Sequence, residues 1–249
     1  MAEARGLHVA QSELVERAGA CGRSFVIWDV GLGAAANAVA VLEAFAETPC
    51  AGGVEIHSFD STSEPLEFAV KHAAELGYLP SWTREVEELL ARGRANAGCV
   101  TWNFHRVDFR EFVRAPEGAR PDAILYDPYS PAVDSGMWTL EHFTRLRKCL
   151  DPARPCTLTN YSRSTAVRVT LALAGFFVGR GGATGEKDET TVAATRRELL
   201  RQPLECEWLE RVRRSTRGSP LREGGQGGRI SPGDLAALEG MLNEPSPQG

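Results

Sequence analysis

Short apolar runs alternate along the chain with longer stretches in which apolar residues recur every three or four positions, the pattern of strands joined by helices. Strands are predicted at Phe25–Val30, Val54–Phe59, Val100–Val107, Ala123–Tyr126, Cys156–Asn160 and Thr190–Ala194. Helices are predicted after the first five: Ala35–Ala46; Glu64–Leu76, continuing beyond Pro80 over Trp82–Ala91; Arg110–Val113; Thr139–Leu150; and Thr165–Ala174. Gly175 stops the last of these, and Phe176-Phe177-Val178 enters a further short strand. The architecture this predicts is a Rossmann-like α/β sheet.

Composition narrows the picture. At 249 residues and 43% hydrophobic, the chain can bury one sizeable core. No run approaches the roughly 18 apolar residues of a membrane span, and the N-terminus lacks the apolar centre of a signal peptide, so no membrane is involved and a cytoplasmic location is expected. Six scattered cysteines and five histidines make no ligand-spaced cluster, so neither a metal site nor a disulfide framework is predicted. A net charge of -5 argues against nucleic acid covering the whole surface but leaves room for a local basic face. Residues 1–24 read as an N-terminal extension and 25–195 as the main domain. From 196 to 249 many arginines fall among Gly-rich and Pro-rich segments, which predicts a loosely held tail.

The first strand runs into Asp29-Val30-Gly31-Leu32-Gly33-Ala34-Ala35-Ala36-Asn37 and then an Ala-rich helix. Glycines at such a turn admit a ligand close to the backbone, and the helix N-terminus favours negative groups. Gly31-x-Gly33-x-x-Ala36, with Asp60 ending the second strand to hold a ribose, leaves NAD and S-adenosylmethionine both open. Asp29 favours the second, because a carboxylate there repels a pyrophosphate and suits the cationic amino-acid end of S-adenosylmethionine. Asp108 ends the third strand, where the adenine would lie. Asp127 follows at the end of the fourth, in Asp127-Pro128-Tyr129-Ser130-Pro131. Ligands of open α/β sheets bind along this rim.

That loop resembles the Asp/Asn-Pro-Pro-Tyr motif of amino-group methyltransferases, in which a polar side chain and a carbonyl hold the acceptor nitrogen and an aromatic ring packs on its base. FVIWDVGLGAAANAVAVLEAF, HSFD, LYDPYSPAVDSGMWTLEHFTRL and GGATGEKDETTVA together resemble the MnmC-type methyltransferases, above all their stand-alone form. The resemblance spans about Phe25 to Thr195. It implies a class I S-adenosylmethionine-dependent fold, with a mostly parallel seven-stranded sheet and helices on both faces. It also implies methylation of the 5-aminomethyl group on the wobble uridine of tRNA, through contacts to the anticodon loop. A separate enzyme would supply the precursor, since the chain is too short to hold the flavin-dependent oxidase of the bifunctional members.

By this resemblance Asp127, the Pro128 carbonyl and Tyr129 form the catalytic group, while Asp29, Gly31, Gly33, Asn37, Asp60 and Asp108 hold the cofactor. Trp138 joins Tyr129 in stacking on the base, Arg163 and Lys187 meet the tRNA backbone, and Glu189 closes the acceptor pocket or pairs with Lys187. Ala35 stands where the family usually has a third glycine, and Asp188 where a basic residue is common. Another small-amine or protein N-methyltransferase, an NAD-dependent oxidoreductase and a non-enzymatic binding protein are the alternative readings.

Overall fold

The computed structural model describes residues 1–183, 188–225 and 227–243. Its strands are β1 (Phe25–Val30), β2 (Val54–Asp60), β3 (Arg94–Ala97), β4 (Val100–Arg106), β5 (Ala123–Tyr126), β6 (Thr157–Asn160), β7 (Phe177–Gly181) and β8 (Thr190–Ala194). They follow the order β3-β4-β2-β1-β5-β6-β8-β7. β1 pairs in parallel with β2 and β5, and β2 in parallel with β4, whereas β3–β4 and β7–β8 are antiparallel. The sheet therefore has eight strands among the described residues, one more than the seven expected. The extra one is β3. Its sequence, Arg-Ala-Asn-Ala, carries no strand signal of its own, and it forms because Gly98, at φ +58°, turns the chain back onto β4.

The described residues divide into two compact units, Met1–Pro128 with Leu158–Asn160, and Tyr129–Thr157 with Tyr161–Gly249. This division falls inside the segment expected to form one domain. In the first unit β1 is buried along its whole length, as a central parallel strand requires. The helix Ala36–Glu47 follows and buries most of its surface, from Asn37 through Phe45. Ala4, Val9, Leu14 and Ala18, from the segment expected to be a mere extension, belong to the same core. The helix expected over Glu64–Leu76 breaks at His72 into Glu64–Lys71 and Ala73–Leu76.

In the second unit the helices Leu140–Cys149 and Thr165–Leu173 pack on each other. The segment read as a loose tail holds two helices, Cys206–Arg214 and Pro232–Asn243. They pack together, and the latter also packs on Thr165–Leu173.

Candidate active site

Four carboxylates come from the C-terminal halves of the parallel strands of the first unit: Asp29 within β1, Asp60 closing β2, Asp108 after β4 and Asp127 after β5. Their surroundings differ, and the differences assign them different work.

Asp29 is fully buried. Its register partner on β2 is Ser58, whose hydroxyl donates to Asp29 Oδ2 at 2.7 Å and accepts in turn from the indole N–H of Trp102 at 2.9 Å. Asp29 Oδ1 is buried with no hydrogen-bond partner among the described residues. Burial pushes the Asp29 carboxyl up to about 7; the Ser58 hydroxyl opposes the shift, and the charges of Asp127 and Asp60 add to it. A buried acceptor with one oxygen unserved is costly unless a donor arrives, and a cationic donor serves best. Ser58 and Trp102 escaped sequence reasoning, although a serine in line with a buried Asp on the adjacent strand was a usable signal.

The glycine turn has two functions. Gly31 has φ +88°, and a Cβ added there would lie 2.4 Å from the Asp127 carbonyl oxygen and 3.0 Å from Pro128 Cα. Gly31 thus lets the acceptor loop press against the cofactor turn, a closer constraint than the ligand approach inferred from the sequence. Gly33, at φ +49°, sends its N–H to Asp60 Oδ2 at 3.0 Å, and Asp60 Oδ1 accepts from Thr62 N at 3.3 Å. Ala35 adopts φ 63°, the left-handed conformation in which a third glycine would sit without strain. It cannot cap the helix Ala36–Glu47, so the first-turn amides have no side-chain acceptor and can face an anionic group. Tyr78 donates its hydroxyl to the Ala34 carbonyl at 2.8 Å and braces the turn, a role the sequence did not reveal.

Asn37, expected on the cofactor, donates from Nδ2 to Asp127 Oδ2 at 3.1 Å. The Asp127 N–H donates to the Val30 carbonyl at 2.9 Å, prolonging the β1–β5 pairing and fixing the start of the loop. Asp108, expected at the adenine, accepts from Arg110 N at 2.8 Å as the cap of the short helix Phe109–Phe112 and holds the Arg110 guanidinium at 2.6 Å. Asp108 thus caps this helix and pairs with the Arg110 guanidinium.

In the second unit Tyr129 is 70% exposed, and its carbonyl accepts the Trp138 indole N–H at 2.8 Å. Trp138 itself is 4% exposed and stands edge-on to Phe143, so it anchors the loop where a stacking surface was expected. Arg163 is exposed. Glu189 meets Arg168, Arg180 and Arg211. Lys187 lies outside the described residues. No group of His, Cys, Asp or Glu among the described residues could hold a metal ion.

The orphaned Asp29 oxygen fits a cationic end, the uncapped helix a carboxylate and Asp60 a ribose, and it is Asp29 that fits a pyrophosphate poorly. Fold and site together define a class I S-adenosylmethionine-dependent methyltransferase. Residues 77–196 match the family model described as S-adenosyl-L-methionine-dependent methyltransferase. This stretch is just under half of the chain, which is similar to curated MnmC proteins along most of its own length. The chain is 29% identical over 221 residues to the tRNA 5-methylaminomethyl-2-thiouridine biosynthesis bifunctional protein MnmC of Ectopseudomonas mendocina (strain ymp), a match covering 82% of this chain and 31% of that protein. It is 31% identical over 205 residues to the protein of the same name from Caulobacter vibrioides, covering 76% and 33%. The chain thus spans about a third of the length of these curated relatives. The solved structure of MNMC2 from Aquifex Aeolicus shares the fold, with a TM-score of 0.66 and 22% identity, covering 96% of this chain and 73% of that one.

Proposed function

We propose that this chain methylates the 5-aminomethyl group of the wobble uridine, position 34, in tRNA, giving 5-methylaminomethyl-uridine with or without the 2-thio group. The observation that carries the reading is Asp127, a carboxylate at the end of β5 held by Asn37, with the Pro128 carbonyl next in the chain. The names of the relatives supply the substrate class. The base would lie in the anticodon loop, and a separate cytoplasmic enzyme would supply the aminomethyl precursor.

When bound, S-adenosylmethionine supplies an electrophilic methyl group on its sulfonium. The residues of the chain must therefore present an amine with its lone pair free, aimed and dry. An alkylamine is mostly protonated at neutral pH, and a nearby carboxylate favours that charged form. Asp127 first binds the ammonium, then accepts or relays its proton, and holds the neutral nitrogen together with the Pro128 carbonyl. Proline has no amide hydrogen, so it offers the amine an acceptor only. Tyr129, exposed and next in sequence, offers its ring to the splayed uracil. Asp29 receives the cationic amino-acid end of the cofactor, and Asp60 its ribose.

A labelled-methyl assay on bulk tRNA from cells lacking this modification, followed by nucleoside mass spectrometry, tests the reading directly. Label must appear on 5-aminomethyl-uridine; label confined to protein or to small amines would point to a different N-methyltransferase. Asp127→Ala should slow methyl transfer by about 10²-fold or more while changing S-adenosylmethionine affinity by no more than a few-fold. Equal losses in both would count against the role of Asp127.

A further inference from the structure

Glu189 meets three guanidiniums within the second unit. Arg168, with a side chain 1% exposed, donates to Glu189 Oε1 at 3.1 Å, to Thr191 Oγ1 at 3.0 Å and to the Thr190 carbonyl at 2.8 Å. A cation buried this deeply requires a counter-charge, so the Glu189 charge is committed to Arg168. Arg211 Nη1 and Arg180 Nε lie 3.6 and 3.9 Å from the same carboxylate, within ion-pair range and beyond hydrogen-bond length. Their side chains are 52% and 49% exposed, and neither donates a side-chain hydrogen bond to any described residue. At Glu189 itself three guanidiniums meet one carboxylate, with the side-chain donors of both outer ones unspent, and Glu205 and Glu207 line a surface pocket on the other side of Arg180. Burial lowers the proton affinity of Arg168 and Glu189 restores it, while the charges of Arg211 and Arg180 oppose it, a mutual repulsion that an added anion would relieve. The Thr191 hydroxyl donates to the Ser162 carbonyl at 2.6 Å, tying this network to the loop that carries the exposed Arg163.

We infer that Arg180 and Arg211 clamp a phosphodiester of the RNA backbone, set from beneath by the buried Arg168–Glu189 pair. The inference rests on the tRNA reading above and extends it from the base to the backbone. A phosphodiester brings one negative charge and two unesterified oxygens, which match a pair of guanidinium forks. The half-exposed, open arrangement suits a strand laid across a surface, and a local positive excess on a chain of net charge -5 concentrates a polyanion at one face.

Fluorescence anisotropy with a labelled tRNA anticodon stem-loop over a range of KCl concentrations tests it. Arg180→Gln/Arg211→Gln should reduce the slope of log affinity against log salt by about one, the value for one phosphate, and weaken binding about tenfold or more near 0.1 M salt. The loss should be the same for an unrelated stem-loop, since phosphate contacts read no sequence, and S-adenosylmethionine affinity should not change. Arg180→Lys/Arg211→Lys keeps the charge and should keep the slope. Should the double glutamine variant not fold, Arg211→Gln alone must lower the slope measurably, by up to about one. An unchanged slope in a folded glutamine variant, with the parent protein binding RNA normally, overturns the clamp alone. A parent protein that binds no RNA overturns the tRNA reading and the clamp with it.

Discussion

Asp29 shows how much a single carboxylate can decide. Its proton affinity in the folded state, about 7, exceeds the ordinary value of 3.8, so the native protein holds this proton more tightly than the unfolded chain does. The sign follows: the associated stability is full below about pH 4 and is lost as pH rises towards 7. Asp29→Asn removes the penalty, so its stability relative to the parent should climb between about pH 4 and pH 7 and then level off, about 2–4 kcal/mol higher. Urea denaturation across that range measures it; a variant less stable than the parent at pH 8 would refute the argument. On the proposed role of Asp29, cofactor binding should weaken as pH falls below about 7 and Asp29 takes up its proton, and the same substitution should abolish that pH dependence. Asp29, Asp60 and Asp127 were all legible as strand-end acids because the strands themselves were legible. The destinations of Asn37 and Asp108 were not, since a hydrogen bond from Asn37 to a residue ninety positions away, or the choice of Arg110 as partner, depends on side-chain packing that no spacing rule encodes.

Among elements, the glycine turn and the acceptor loop read as separate motifs in the sequence, yet Gly31 and the Asp127 backbone occupy the same few ångströms. Gly31→Ala puts a methyl 2.4 Å from a carbonyl oxygen that is fixed by its neighbours in the β1–β5 pairing, and adds the strain of φ +88°. Gly33→Ala meets no atom closer than 4.0 Å and adds only the left-handed penalty of about 1–2 kcal/mol. Ala35, at φ 63°, already shows that this turn tolerates a methyl in the left-handed region. We therefore expect Gly31→Ala to destabilise by about 3 kcal/mol or more and to depress both cofactor affinity and methyl transfer, while Gly33→Ala costs about half as much or less. Chemical denaturation of the two variants side by side decides it, and equal losses would separate the turn from the loop. β1 and β5 were legible for the reason that makes them central, continuous burial, and β2 and β4 from the apolar positions that they bury in alternation. β3 was not, because an edge strand of small and polar residues owes its pairing to its neighbour.

Across the whole molecule, the segment after Thr195 carries the largest difference between composition and structure. Its arginines, glycines and prolines mask an amphipathic set, Trp208, Leu209 and Val212, which the helix Cys206–Arg214 buries at 3%, 4% and 0% exposure. Leu238, in the helix Pro232–Asn243, is fully buried in the same unit. Burying each such side chain is worth roughly 1.5–3 kcal/mol, so the four together rival the roughly 5–15 kcal/mol by which a whole domain is stable. A chain ended at Thr195, where the sequence alone would place the boundary, should therefore fail to unfold cooperatively on heating or should aggregate. Circular dichroism melts compare it with the full chain. A fragment melting within about 4 °C of the parent would show that these helices contribute less than roughly 1–2 kcal/mol. The arginines of the helix Cys206–Arg214 line its solvent side because the opposite face is spent on the core. Arg211 can then stand beside Glu189 on a framework that folding itself holds in place, and this rigidity allows a basic surface to serve a fixed register of phosphates.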